Sequence, residues 1–508
     1  MLTLVKSEIF LLVANVAGFL LFVNCVKRPL LAEMRARLAT LMVYCITIAF
    51  LSPSLLVFNV AAFLAVPVFA QRASHIASIY VFALVTLPAV TTPLNLGGLY
   101  LITVNSTICL TVGAALTTLV KTRGYNRGWT IYSTASLIIF IIMLVPSARA
   151  AGFTNILRAA ASTVILVILP YYVISRSVRS PDDVKRVLVA MVAVGATLAA
   201  FAIFETRTSW PIYRVIFEHY AVPLSADANV KMRGGFLRSA GPFPEPLSFA
   251  FWLTLFVMCA VACSWMFKSR MHQTLIVSLL LLSLLAAQSR GALLGLACGI
   301  IVLFCFSGRI AAVVKSLVVV GLAGAMVYAA ALTVPTVGSI IGIQSDGTRV
   351  KDYRETLLER GLEEAHKSPL VGVDLETLTY RLRDMRQGEG IIDFVNSYLY
   401  ILLVTGLVGL AAFVTALTWP IYDIWSARRR VPSASLMDNS YLGGALAAIA
   451  MMLVTTSLGA RSLMAILILV ALASALTRAA VGRGKSSERV SERGYNNANE
   501  PMLASEAS

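Results

Sequence analysis

Two stretches place arginine and carboxylate on or beside stiff backbone. In KMRGGFLRSAGPFPEP (231–246), Arg233, Arg238 and Glu245 sit among Gly234-Gly235, Gly241-Pro242 and two further prolines, just before an apolar run that starts near 247. Glycine pairs mark turns, and each proline fixes φ and forbids a helix interior, so the stretch reads as a non-helical strap. Guanidinium groups held there match phosphate oxygens bidentately; an interfacial anchor that starts a helix has the same composition. In DGTRVKDYRETLLERGLEEAHKSPLVGVD (346–374), Val350, Tyr353, Leu357 and Leu362 recur at helical spacing. This predicts an amphipathic helix over 349–366 that lies on a bundle or on lipid. Asp346 and Thr348 are candidate caps, and Lys367-Ser368-Pro369 ends it. Arg349 falls in the first turn, where free backbone N–H groups already favour an anion; a solvated helix laced with ion pairs shows the same pattern.

Asp393 and Asn396 stand at the head of IIDFVNSYLYILLVTGLVGLAAF (391–413). A carboxylate there is either a general base or a charge at a helix N-terminus. Arg290 marks a hairpin in AAQSRGALLGLACG (286–299), and Gly291, Gly295 and Gly299 form a small-residue ridge for close helix packing. His219 and His366 are isolated in polar segments and read as surface residues.

The elements that must position these groups are membrane helices. Of 508 residues, 58% are hydrophobic and 13% charged, and mean hydropathy is +0.82; a soluble chain cannot hide that much apolar surface. Apolar runs fall near 8–26, 38–52, 55–70, 79–93, 101–120, 131–147, 153–175, 187–205, 247–267, 274–289, 291–307, 312–333, 392–418, 441–459 and 462–478. Each approaches the length that crosses a bilayer core, giving about 12 to 15 spans according to whether Ser52-Pro53-Ser54 is a tight turn or a kink. The first run lacks the flanks of a removed signal peptide and reads as a retained span. The net charge of +17 is spread over short clusters such as KRPLLAEMRAR (27–37), RSVRSPDDVKR (176–186) and ARRR (427–430). Such clusters between apolar runs mark cytoplasmic loops and attract anionic lipid, which argues against a nucleic-acid partner. The seven cysteines have no metal-site or disulfide spacing and read as small core residues.

This topology divides the chain into N-terminal transmembrane helices (1–205), an outer loop (206–246), helices (247–333), a large outer loop carrying the amphipathic helix (334–391), C-terminal helices (392–480) and a disordered cytoplasmic tail (481–508). Between 344 and 390 there are eight Lys/Arg and ten Asp/Glu, a mixed charge unlike that of the inner loops. Ionisable residues are scarce in the span interiors; Arg158, Arg290, Lys315 and Arg461 sit at their ends. An ion-coupled transporter keeps such groups near the midplane, so the pattern weighs against transport. No nucleotide-phosphate cradle, metal-ligand cluster or cofactor motif is visible.

Taken in order, RxxGxFxxP before a span, an SRG hairpin, TR…SPLxGV in a large outer loop and an NSYLxxLxxxGLxGL span resemble the O-antigen ligase and Wzy-type polysaccharide polymerase family, over about 230–415. The resemblance implies an all-α, GT-C-like polytopic bundle in a bacterial inner membrane. It implies a metal-independent glycosyltransferase without cofactor, whose partners are undecaprenyl-pyrophosphate-linked glycans and membrane lipids, with a chain-length regulator and a flippase nearby. By the same resemblance, Arg238 and Arg349 bind the pyrophosphate leaving group, with Arg233, Arg290 and Arg354 as further candidates. The ligase branch carries a histidine before the apolar span; DFVN (393–396) has none, which favours a polymerase over a ligase. Asp393, and after it Glu245, are then the candidate bases. Arg238→Ala and Arg349→Ala are each expected to abolish product while leaving the protein folded, and Arg→Lys to rescue poorly. Normal product from both alanine variants overturns the pyrophosphate assignment.

Overall fold

The computed structural model describes residues 2–96, 99–124, 128–149, 152–222, 231–333, 345–386, 392–429 and 433–478. The expected tail (481–508), and 223–230, 334–344 and 387–391 of the two long loops, lie outside the described residues. Of the described residues, 78% are helical with almost no sheet, as an all-α reading requires. Six helices among the described residues are long and apolar enough to cross a membrane, and seven shorter apolar helices of 10–17 residues accompany them.

The N-terminal half comprises α1 (Leu2–Cys25), α2 (Arg28–Leu31), α3 (Arg35–Leu51), α4 (Leu55–Phe69), α5 (Ala73–Thr86), α6 (Ser106–Lys121), α7 (Ile131–Arg149), α8 (Phe153–Thr163), α9 (Leu169–Ser177), α10 (Pro181–Thr208) and α11 (Arg214–His219). Ser52-Pro53-Ser54 is a turn between two helices, because Val57 N–H donates to Ser54 Oγ (3.3 Å) and caps α4. A π segment, Val164–Ile168, joins α8 to α9. The run expected at 79–93 is instead α5, ending before Pro88. Its polar start was hidden by Arg72 and His75, and His75 is buried against Glu33 (3.0 Å). Residues expected to begin a span at 101 form a hairpin, β1 (Thr92–Leu96) with β2 (Leu99–Val104), and Asn105 then caps α6 by accepting from Ile108 N–H.

At the centre stand α10 and the last described helix, α20 (Ala460–Arg478), whose apolar segments are 83% and 94% buried. Ser180 and Asp183 close a capping box at the start of α10, with Pro181 in the first turn. Around them pack α12 (Pro246–Ala262), α13 (Arg270–Ala286), α14 (Arg290–Phe306) and α19 (Ser433–Met452). The glycine ridge on α14 does what its spacing implies: a Cβ at Gly295 meets the Ala448 carbonyl oxygen at 2.9 Å, so α14 and α19 touch backbone to backbone. By contrast α15 (Ile310–Thr333) buries none of its apolar segment and lies at the bundle's edge. Cys305 is exposed, not a core residue, because its face of α14 looks away from α19.

The large loop carries α16 (Ser345–Lys367) and α17 (Leu375–Arg381) and is tied to the long α18 (Ser397–Ala427). Leu357, Leu378, Leu382, Leu399 and Leu403 form a second small core, with Tyr353 against it. The buried stripe of α16 runs through Leu357, Gly361 and Glu364, and Leu362, predicted on it, is 41% exposed. Ion pairs Arg360–Asp384 (3.0 Å) and Arg381–Glu364 (3.3 Å) bind the loop to itself. Helix α16 includes Ser345, so Asp346 and Thr348 fall inside it and not before it.

The loop and α18 interlock at a break. Gly406 has φ 69° and ψ −170°, a region open essentially to glycine alone. The carbonyl and amides freed there are taken by residues 369–373. Val373 N–H donates to Leu403 O (2.9 Å), Leu407 N–H to Pro369 O (2.8 Å) and Val408 N–H to Leu370 O (3.3 Å). A Cβ on Gly406 would lie 2.3 Å from the Leu370 carbonyl, and one on Gly372 2.5 Å from Leu403 O. SPLVGV and GLVGL are thus the two halves of one joint. Gly406→Ala should lower stability by roughly 2 kcal/mol or more. Gly321→Ala, at an open helical position, should change it by about 1 kcal/mol at most, in the favourable direction. Thermal unfolding in detergent compares them, and equal midpoints overturn the interlock.

Candidate functional site

The strap is built as its glycines require. Gly234 (φ 57°) and Gly235 (φ 80°) form the two-residue turn of a hairpin that pairs Met232 with Leu237 and Arg233 with Phe236. Gly241 (φ 54°) turns the chain again, and Pro246 occupies the first turn of α12, where its missing N–H costs nothing. The strap's polar groups are satisfied by three anchors. Ser239 Oγ and Gly241 N–H donate to Glu205 at the end of α10. Arg461 Nη1 donates to Pro242 O (3.1 Å), and its guanidinium lies 4.6 Å from the Phe243 ring centre.

The third anchor is the end of α13. Gln288 has φ 50° and reverses the chain, leaving the last carbonyls of the helix without intrahelical partners. Ser239 N–H takes Ala286 O (3.1 Å), Arg238 Nε takes Ala287 O (3.3 Å) and Arg233 Nη1 takes Gln288 O (2.9 Å). A helix C-terminus carries partial negative charge, so it steers both guanidinium groups. Ser289 caps α14, and Arg290 is the first residue of that helix.

These groups line one cavity of about 310 Å³. Lys231, Arg233, Arg238, Arg290 and Arg354 contribute cations, and Asp393 is the one carboxylate among its described lining residues. The arginines are graded in depth: Arg238 is 9% exposed, Arg233 half-buried, and Arg290 and Arg354 stand at the rim. Burial first, then the neighbouring charge of Arg233, pushes Arg238 down to about 10, with Glu245 acting in the opposite sense. Burial, then the charge of Arg354, lowers Arg233 as well. Both groups remain cations at neutral pH, held against desolvation and mutual repulsion that a bound anion relieves.

Of the residues singled out in the sequence, Arg233, Arg238, Arg290, Arg354 and Asp393 line this one cavity. Arg349 is on α16 five residues before Arg354, but its side chain lies outside the described residues. Asn396 is resolved from Asp393: its Oδ1 accepts from Tyr398 and Leu399 N–H (3.0 and 3.2 Å) and caps α18. Asp393 Oδ1 accepts from Ser457 Oγ (3.0 Å) and lines the cavity. Glu245 is not in this cavity; with Ser248 (2.9 Å) it lines a neighbouring one. His219 and His366 are engaged by the backbone carbonyls of Ser52 and Leu362 (3.0 and 2.7 Å), and none of the four histidines lines the arginine cavity. Lys231, Gln288, Thr455, Thr456, Glu205 and the bracing role of Arg461 went unread. For Glu205 and Arg461 the signal was an ionisable residue at the end of an apolar run; the threonines carried none.

Residues 275–414 match the family model described as O-antigen ligase. That segment is similar to O-antigen ligases. The matched segment contains the carbonyl end of α13, Arg290, Arg354, Asp393 and the whole SPLVGV–Gly406 joint, while the strap and Thr455–Thr456 lie outside it. Members of this family are membrane glycosyltransferase-like enzymes of the ligase and polymerase type. Among curated proteins, none matches the chain.

With five cations around it, the cavity should bind inorganic pyrophosphate and be stabilised by it. At about a hundredfold excess over Kd the expected gain is about 2.7 kcal/mol, seen as a higher unfolding midpoint in detergent. Arg238→Gln should lose most of that gain; an equal shift in the variant places the anion elsewhere.

Proposed function

We propose that the protein is a polysaccharide polymerase joining undecaprenyl-pyrophosphate-linked repeat units on the outer face of a bacterial inner membrane, without metal or nucleotide sugar. The observation that carries this reading is the arginine cavity: five cations against one carboxylate, in an O-antigen ligase-like membrane protein. A pyrophosphate diester is the lipid-linked donor whose charge such a cavity suits, and bidentate guanidinium contacts strengthen as charge grows on the leaving oxygens.

In this mechanism a hydroxyl of one lipid-linked repeat attacks the anomeric carbon of a second glycan. The new carbon–oxygen bond forms as the bond to the pyrophosphate oxygen breaks. Undecaprenyl pyrophosphate leaves with that electron pair against Arg238, Arg233, Arg290 and Arg354. The hydroxyl proton passes to Asp393, which Ser457 orients through its 3.0 Å hydrogen bond. The polymerase reading over the ligase reading is supported by the absence of any histidine from the cavity lining.

Liposomes carrying the protein and lipid-linked repeats as the sole substrate should yield a ladder of glycan lengths on a gel. Unchanged single repeats beside an active control polymerase overturn the reading in favour of a ligase or a transporter. Asp393→Asn should cut turnover by about 10²–10⁴-fold while retaining pyrophosphate binding; wild-type turnover removes Asp393 as the base.

A further inference from the structure

The strap has a second side. Against it lies a larger cavity of about 740 Å³, within the range of about 300–1,000 Å³ usual for small-molecule sites. The two cavities share a partition made of two short chain segments. In the first, Leu247 lines the arginine cavity while Glu245 and Ser248 line the larger one. In the second, Thr455 and Thr456 line the arginine cavity while Gly459 and Arg461 line the larger one. The segments touch at Gly459, where a Cβ would meet Ser248 Oγ at 3.5 Å and Glu245 Oε1 at 4.0 Å.

The chemistry on the two sides differs. Among its described lining residues, the larger cavity sets one carboxylate, Glu245, against one guanidinium, Arg461. That guanidinium is committed to the carbonyls of Pro242 and Leu87 and to Thr107 Oγ1. Its buried Nε has no acceptor among the described residues. Such a balanced pair gives an anion little to bind, unlike the five cations next door. Hydroxyl and amide groups of Thr92, Asn105 and Ser248, with the rings of Phe217 and Tyr220 beside them, suit an uncharged polyhydroxylated molecule that offers both hydrogen bonds and C–H faces.

We infer that the larger cavity binds the acceptor saccharide, which presents a hydroxyl past the 245–248 and 455–461 partition to the anomeric carbon of the donor. The identity of that saccharide rests on the glycosyl-transfer reading above. Apart from the partition, the lining comes from the ends of α4, α6 and α11, the hairpin β1–β2 and the π segment. All of these lie outside the O-antigen ligase-like segment 275–414. The family segment thus contributes Arg290, Arg354 and Asp393 to the donor side and nothing to the larger cavity, so acceptor choice is set mainly by the N-terminal half.

The test uses the full chain in nanodiscs and two probes: inorganic pyrophosphate, and the lipid-free repeat oligosaccharide released from its lipid carrier by mild acid. Titration calorimetry should show the oligosaccharide binding at millimolar concentration, undisplaced by saturating pyrophosphate. Thr92→Trp, which fills the cavity from β1, should weaken oligosaccharide binding about tenfold or more while leaving pyrophosphate binding intact. Thr91→Trp, on the exposed approach to that strand, gives a second variant should the first not fold. Failure to bind, displacement by pyrophosphate, or undiminished binding in both variants overturns the assignment. Pyrophosphate binding and the ladder of products would then still stand, so the two readings fail separately.

Discussion

The site depends on three carbonyls at the end of one helix. Residues 286–288 close α13 with a left-handed Gln288, and the acceptors released there take the strap's backbone and two of its arginines. Guanidinium groups crowded into one cavity repel each other and lose hydration, so they stay only where fixed dipoles hold them. The helix end provides that hold without neutralising them, since a carbonyl dipole leaves the full positive charge available to a ligand. A carboxylate in the same position would form an ion pair and cancel the field that the site needs. Glu205 is used differently: it holds Ser239 and Gly241, not the arginines.

A second constraint brings the rest of the cavity to the strap. Arg354 rides on α16 and Asp393 on the segment leading into α18, and both are placed by the joint between 369–373 and the break at Gly406. The joint satisfies backbone groups that a broken helix would otherwise leave open, and Arg149 adds a hydrogen bond to Val404 O at the same point. Leu357 and Leu378 then bury against Leu399 and Leu403, so the loop folds onto the span as a small core of its own. The ridge of Gly291, Gly295 and Gly299 sets α14 against α19, which carries the threonines at its end to the cavity wall.

What was legible in the sequence follows from what was local. Glycine and proline announced the strap because their φ preferences act residue by residue, and long apolar runs announced helices because a bilayer sets their length. The arginines were legible as a group through their order along the chain, which resembles a family pattern; nothing in spacing alone says that Arg233 and Arg354 share a cavity. Residues 101–104 were read as the start of a span because β-branched and apolar side chains serve a hairpin and a membrane helix alike. Asp393 was open to two readings, base or helix N-terminal charge, and it is Asn396 whose side chain caps α18. Glu245 was placed with the arginines because it follows them closely, yet the strap turns at Gly241 and carries it to the other side.

The break at Gly406 also bears on how the site is assembled. Open backbone groups in hydrocarbon cost several kcal/mol each, so α18 has no stable broken form until 369–373 is seated beside it. The break in 397–427 and the seating of 369–373 are therefore one coupled feature, each stable in hydrocarbon only with the other. A chain whose loop has not docked therefore lacks the placement of Arg354 and Asp393, and with it the arginine cavity.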